Sequence, residues 1–362
     1  MIADAIDSYL RNDGKDVPDA LLDVAAAHVR RSLSKNFGAK REHRVRVPSP
    51  SSKWYCARRQ LFDALPMAAH REDDTPRSRV IFTLGDSVEA VGMLLARQAG
   101  VQFLTPDVGG EQLRLSSLIV PADFGYDSKE PFPIAGNIDC TISVNDHGEC
   151  VADWKSMSDY GYDDAEEAAR NPNAKWWTEA RDDIIAQVRW YMLMLRLAGR
   201  GDGKMGYIIG VKKSTGHVCE VVIPHDEQHE RELVAKAAYV WRHLRTLAMV
   251  QTGVGLDDVR AFTASLDGVN PESALAYILA NVPRPKWAVS VTLPGRNARA
   301  DGTFGPVEQI DTARDSKRHG SGPFVGFRCG YCPFVGACWP GFSLVALGKP
   351  VWRRAVDAPA SA

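Results

Sequence analysis

PIAGNIDCTISVNDHGECVADWKS, residues 133–156, is the stretch that decides how this chain is read. In its first half Ile134, Ile138, Ile142 and Val144 share one face of a strand, and Asn137, Asp139, Thr141 and Ser143 share the other. The turn Asn145-Asp146-His147-Gly148 carries the residue types a hairpin loop favours. Pairing across it sets Asp139 opposite the stretch from Asp153 to Lys155, within one residue of register. Asp153 and Lys155 are two apart, so both project from one face of their strand. Two carboxylates and an ammonium are therefore expected to converge.

That grouping has a chemical use. Clustered carboxylates hold Mg²⁺ or Mn²⁺, hard cations that prefer oxygen ligands and retain some of their water. Such an ion acidifies bound water, aims it at a phosphodiester and stabilises the leaving oxygen. A lysine beside it positions the water or offsets the charge that develops on phosphorus. The same residues also fit a surface hairpin with a same-face Asp153–Lys155 charge pair.

Outward from this hairpin, the periodicities predict an amphipathic helix over 18–34 and a basic, Pro/Ser-rich connector. A helix beginning near residue 51 carries Cys56, and another covers 86–98. Strands are expected at 113–120, 132–144, 149–156, 205–212 and 217–223, with helices at 182–198 and 226–250. The region 252–322 reads as a helix over 271–280 followed by Gly/Pro-rich loop. This order implies one α/β core sheet with a helical surround.

The bulk properties narrow the classes. With 362 residues, 45% hydrophobic content and a formal net charge of −1, the chain is expected to be globular rather than disordered. The longest apolar stretch, 188–198, is broken by Arg189 and Arg196, so no membrane span is expected. The first residues lack a basic start followed by an apolar run, which predicts no secretory signal and a cytoplasmic location. Two basic clusters, Lys40-Arg41-His43-Arg44-Arg46 and Arg314-Lys317-Arg318-His319, suit either a solvated surface or a phosphate contact.

Seven cysteines in a reducing compartment argue against disulfides. Cys140, Cys150 and Cys219 lie alone in strand-like sequence and read as small buried hydrophobes. Cys329, Cys332 and Cys338 are clustered as C-x-x-C-x-x-x-x-x-C, and Cys56 stands far upstream. Three thiolates call for a fourth, and both zinc and a [4Fe–4S] cluster accept four cysteines. Structural zinc sites usually come as two close pairs, which this triplet is not.

Taken in order, Gly85 with Glu89, Gly136-Asn137-Ile138-Asp139, Asp153-Trp154-Lys155, and Gln187 with Tyr191 resemble the motifs of the RecB-like branch of the PD-(D/E)XK nucleases. The cysteine pattern, with SPSSKWYCARRQLF around Cys56 and CGYCPFVGACWP at 329–340, resembles the iron–sulfur members of AddB-like and CRISPR-associated type. The resemblance covers about residues 49–340. It implies a restriction-endonuclease-like α/β core, a mixed central sheet flanked by helices, with helical additions and an Fe–S clasp.

By resemblance Asp139 and Asp153 are metal ligands, Lys155 is the catalytic lysine, and Gln187 and Tyr191 contact DNA phosphate or brace the site. Glu89 stands where relatives have a ligand, although Asp86-x-x-Glu89 also fits a helix-capping box. Cys56, Cys329, Cys332 and Cys338 would hold the cluster. The domain reading is an N-terminal extension (1–48), a nuclease domain closed by the cluster (49–345) and a tail (346–362).

The implied activity is a hydrolase acting on single-stranded DNA or DNA ends, a metal-dependent exonuclease (with flap or endonuclease activity as a variant) of recombination, repair or end processing. A stand-alone chain without helicase motifs resembles the phage-encoded members. The alternatives are a nuclease trimming CRISPR prespacers beside adaptation proteins, and a silent DNA-binding scaffold. Trp176, Trp177 and Trp190 are either base-stacking aromatics or core anchors. Arg58, Arg59 and Arg328 are expected to line a basic channel.

Overall fold

A computed structural model describes residues 2–12, 17–37, 56–65, 67, 76–105, 113–138, 140–252, 262, 264–284, 290–293, 298–299, 322–325, 332, 334–339, 342–347 and 349–354. The chain divides into two compact units, Met1–Tyr55 with Asp74–Arg242, and Cys56–Asp73 with His243–Ala362. The expected boundaries at 48 and 345 are not those of the two units.

In chain order the helices are α1 (Ile2–Arg11), α2 (Asp19–Phe37), α3 (Ala57–Ala64), α4 (Pro76–Gln98), α5 (Asp159–Arg170), α6 (Trp176–Glu179), α7 (Ala186–Leu197), α8 (Glu227–Thr252), α9 (Pro271–Asn281) and α10 (Val335–Cys338). The strands are β1 (Phe103–Thr105), β2 (Leu113–Ile119), β3 (Phe132–Ile138), β4 (Thr141–Val144), β5 (Gly148–Met157), β6 (Met205–Lys212), β7 (Val218–Pro224), β8 (Ser290–Leu293), β9 (Ala298–Arg299), β10 (Gly322–Val325), β11 (Phe342–Leu347) and β12 (Lys349–Arg354).

The first unit is α/β, built on a mixed sheet in the order β1-β4-β5-β6-β7. Only β5 and β6 run parallel; β4–β5 and β6–β7 are antiparallel. A parallel pair needs a long crossover, and α5 to α7 supply it. The hairpin between β4 and β5 forms where its composition predicts, with Thr141 opposite Val151 and Val144 opposite Gly148. Asp146 and Gly148 take positive φ in its turn, at 70° and 68°, conformations that Asp tolerates and Gly favours.

Alternation along β5 assigns its two faces. Cys150, Ala152 and Trp154 join Ile2, Ile6, Met93, Ala96, Tyr207 and Ile209 in one apolar cluster, so α1 and α4 cover this side. Asp153 and Lys155 point to the other face, where α7 packs on β5 and β6. There the α7 side chains Val188 and Met192 close on Gly206, which lies opposite Val151 in register. Cys140, Cys150 and Cys219 are buried, as expected of small hydrophobes.

Several elements of the first unit differ from the sequence-based expectation. The strand expected over 132–144 divides into β3 and β4, which belong to different sheets, and β1 and α5 fall where none is expected. Helix α1 exists and seats Ile2 and Ile6, one turn apart, in the sheet's core, with the Ile2 N–H donating to Glu220 (2.5 Å). Helix α4 starts ten residues before 86, because Val80, Ile81, Phe82 and Leu84 form an apolar run without helical period.

In the second unit the five strands β11-β12-β10-β8-β9 pair antiparallel throughout. They occupy sequence read as loop and tail. Arg58 on α3 is buried and donates to the carbonyls of Val282 (2.6 Å) and Leu279 (3.1 Å), closing the C-terminal end of α9. Phe62 packs on Phe334, with ring centroids 5.3 Å apart.

Candidate functional site

Strand β5 brings the central pair together. Asp153 is 1% exposed, and its Oδ2 lies 2.8 Å from Lys155 Nζ, which is partly exposed. A carboxylate so deeply buried requires a cation beside it, and Lys155 supplies one. The same-face arrangement follows from their two-residue spacing on an interior strand.

Helix α4 presents Glu89 to this strand from the opposite side of the sheet. Its Oε1 accepts from the backbone N–H of Ser156 (3.3 Å), the residue after Lys155. Gly85 and Gly92 make that reach possible. A Cβ at Gly85 would stand 2.8 Å from Ser156 Oγ, and one at Gly92 would stand 2.6 Å from the Trp154 ring. At Gly92 the Trp154 ring leaves no room for a side chain, whereas at Gly85 the Ser156 hydroxyl would have to turn away. Because α4 is already several turns long at Asp86, the pair Asp86 and Glu89 is not a capping box.

Gln187 and Tyr191 sit on α7, a helix buried nearly all round. Gln187 Nε2 lies 3.3 Å from Tyr191 Oη, so the tyrosine hydroxyl holds the amide. A π-helical turn, Arg181–Ile185, immediately precedes them; such wider turns re-aim the side chains that follow. Asp139 falls outside the described residues. Its neighbours are placed: Ile138 ends β3, and the Cys140 carbonyl accepts from Ala152 N–H (3.0 Å).

A buried polar network braces α7 against α8. Arg189 donates to Asp226 (2.9 Å) and contacts His229 Nδ1 (2.6 Å), while Arg181 bonds Glu232 (2.8 Å). Burial, with Arg181 and Arg189 close by, pushes His229 down to about 4. Burial pushes the Asp226 carboxyl up, but the His229 N–H and the two arginines outweigh it and hold it below the usual range.

The linkage has a definite sign. Between about pH 6.5 and 4 the unfolded chain takes a proton at His229 that the folded one refuses, so acid should remove up to about 3 kcal/mol of stability. The Asp226 contribution is lost at lower pH still. Thermal melts from pH 7.5 downward check this: His229→Asn, which keeps an acceptor for Arg189, should flatten the upper part of the profile. An unchanged profile would assign the acid sensitivity elsewhere.

In the second unit Cys56, Cys332 and Cys338 lie close enough to affect one another. Burial and its two thiol neighbours push Cys332 up to about 12, against a hydrogen bond from Phe334 and the Arg59 charge. Burial and Cys56 raise Cys338 to about 11 despite Arg58. Cys56 stands just before the first turn of α3, and the N–H groups of Arg59 and Arg58 point at its sulfur, though burial still raises it. Arg284 donates twice to the Cys338 carbonyl (3.1 and 2.6 Å) and stacks over Trp339, 4.0 Å from the ring centroid.

Among the described residues no three His, Cys, Asp or Glu side chains form a group able to hold an ion. The expected carboxylate and thiolate sets include Asp139 and Cys329, both outside those residues. Both basic clusters and Arg328 are outside them too. No described helix is long and apolar enough to cross a membrane.

For the three tryptophans the structure favours the anchor reading over base stacking. Trp190 is fully buried and Trp176 nearly so. Trp177 is pinned through Nε1 to the carbonyls of Ala168 and Asn171 (3.3 Å each). All three are core or loop anchors rather than stacking surfaces. Arg58 and Arg59 likewise serve the fold: Arg58 as described, Arg59 paired with Asp63 at 3.4 Å.

No sequence-family model and no curated protein matches this chain. Five chains of solved structures do. One, described as the crystal structure of SSO0001, is 12% identical, and the match covers 60% of this chain and 86% of that one at a TM-score of 0.34. An overlap of that quality carries no argument about fold or function.

Proposed function

We propose that the chain is a Mg²⁺- or Mn²⁺-dependent deoxyribonuclease of the PD-(D/E)XK type, an exonuclease acting on DNA ends, whose cysteines hold a [4Fe–4S] cluster. One observation carries the reading: Asp153, 1% exposed, lies 2.8 Å from Lys155 on the strand that pairs parallel with β6. A buried carboxylate is costly, and a fold retains one where its charge has work to do.

The donor set fits a hard divalent cation. Asp153 offers a buried carboxylate and Asp139 would join it, while Glu89 holds the backbone N–H of Ser156 from the other face of the sheet. The bound ion would supply an acidified water and charge neutralisation at phosphate. The rest of the chemistry belongs to the chain. Lys155 Nζ orients the attacking water and offsets negative charge on the phosphoryl oxygens, an effect strengthened by the low dielectric around Asp153. Asp153 in turn fixes the ammonium. Gln187, held by Tyr191 Oη, is the donor for a neighbouring phosphate.

The cysteine set fits an iron–sulfur cluster. Its described members are thiols of one unit, Cys338 buried and Cys56 and Cys332 half-buried, with Arg58 and Arg59 near enough to offset thiolate charge. Cys56, Cys332 and Cys338 would ligate it together with Cys329. The role is to clasp α3 to the C-terminal segment.

The test is incubation of end-labelled linear and circular DNA, single- and double-stranded, with anaerobically purified full-length protein. Linear DNA should be shortened from its ends with Mg²⁺ or Mn²⁺ and spared in chelator, with circles intact. DNA that is bound yet never cut, with cluster and metal present, would replace this reading with a silent scaffold.

A further inference from the structure

Helix α7 begins on an irregular turn. The Ile185 N–H donates to the carbonyl of Ala180, five residues back (3.1 Å), in place of the usual four. Such π-turns are rare, occur mostly as single turns within α-helices and concentrate at functional sites. Here the extra residue has a geometric consequence. Arg181 and Arg189 are eight apart, so a regular α-helix would set them about 80° apart around its axis. One residue absorbed by the π-turn brings them to within about 20°. Both then reach the same oxygen, Asp226 Oδ2, at 3.7 Å from Arg181 and 2.9 Å from Arg189.

The partner side is rigid. Asp226 Oδ1 accepts the His229 N–H (3.0 Å) and so caps α8. Arg181 has a second hold on Glu232 of α8 (2.8 Å), and Arg189 one on the Pro224 carbonyl (3.3 Å). Segment 181–189 is therefore pinned at both ends, and Gln187 lies between the pins. It is the second residue of α7, two past the π-turn, and half-buried. Arg189 follows it by two residues, about 200° around the helix, so the arginine side meets α8 and the Gln187 side faces away from it. Tyr191 shares the Gln187 side, where its hydroxyl meets the amide (3.3 Å). Buried Val188, Trp190 and Met192 fix the body of α7, but its first turn rests on the π-turn.

We infer that Arg181 is a positioning residue: by tying the π-turn to Asp226 and Glu232 it keeps the Gln187 amide on the Tyr191 hydroxyl, on the helix that covers Asp153 and Lys155. What Gln187 then meets, a neighbouring phosphate, rests on the nuclease reading. Stability gives little reason for the arrangement. Arg181 and Glu232 are 35% and 39% exposed, and ion pairs so open to water add little to the fold. Their use lies in where they hold the chain.

The test uses full-length protein labelled with fluorotyrosine, the Tyr191 fluorine resonance being assigned from Tyr191→Phe, beside steady-state DNA cleavage. Arg181→Gln should melt at the wild-type temperature and move the Tyr191 signal towards its position in Gln187→Ala. Glu232→Gln should move it the same way. Arg170→Gln, which removes an exposed pair on α5, should leave it in place. A donor to a neighbouring phosphate binds substrate and transition state alike, so Arg181→Gln should raise KM about tenfold and leave kcat unchanged. Combined with Gln187→Ala it should cost no more than Gln187→Ala alone, because both act through one amide. Effects that multiply to about a hundredfold would make Arg181 independent of Gln187 and overturn the inference. So would a Tyr191 signal that Arg181→Gln leaves in place, whether or not DNA is cut. If that signal moves but wild type neither binds nor cuts DNA, the nuclease reading falls and the hold of Arg181 on Gln187 stands.

Discussion

Lys155→Ala is expected to lose metal-dependent DNA cleavage by about 10³-fold, the loss typical of removing one preorganised charge-stabilising donor. The same change acts on the fold. Asp153 is 1% exposed and its Oδ2 lies 2.8 Å from Lys155 Nζ. Truncating one partner of a buried ion pair costs about 3–5 kcal/mol, since the remaining charge is left uncompensated. Added Mg²⁺ or Mn²⁺ should therefore raise the melting temperature of Lys155→Ala more than that of wild type, by supplying a cation to Asp153.

The complementary variant separates the two effects. In Asp153→Asn the ammonium of Lys155, 26% exposed, can reach water, so stability should change little while cleavage is lost. Lys155→Arg should fail to rescue, because a planar fork does not reproduce a compact point charge. End-labelled DNA assays and thermal melts of all three variants check this. Lys155→Ala retaining more than about a tenth of wild-type cleavage, against the loss expected of such a donor, would sink the role given to the lysine.

The hairpin β4–β5 was legible because strict alternation and a loop of turn-forming residues leave one register, and that register places Asp153 and Lys155 together. Strands β6 and β7 and helix α8 fall within about two residues of expectation, since their apolar periods are clean. The start of α4 was not legible, because its exposed run Val80–Leu84 has no buried face to set a period. The strands of the second unit were hidden for another reason. They are short, and partners such as β8 and β10 lie some thirty residues apart, so only tertiary pairing defines them.

At the site, spacing identified Glu89 but could not choose between a cap and a site residue. The ten helical residues that precede Asp86 in α4 exclude the cap. The tryptophans show the converse limit. Composition marks them as aromatic, but burial alone separates an anchor from a stacking face.

The cysteines carry the second large prediction. Cys56 belongs by sequence to the first sixth of the chain, yet the segment Cys56–Asp73 falls in one compact unit with His243–Ala362. There its thiol perturbs Cys332 and Cys338. With Cys332 raised to about 12 and Cys338 to about 11, these thiols are protonated near neutral pH in the metal-free chain. Ligation must then expel their protons, so cluster binding should weaken as pH falls. Anaerobically purified protein should carry iron and inorganic sulfide in equal amounts. Cys56→Ser, Cys332→Ser or Cys338→Ser should abolish that content and lower the melting temperature. Cys140→Ala and Cys219→Ala, whose sulfurs lie in the apolar core of the other unit, should leave it unchanged. Zinc in place of iron would convert the clasp to a zinc site. Full iron content in Cys56→Ser would remove Cys56 from the ligand set, and the long loop would then have nothing to close it.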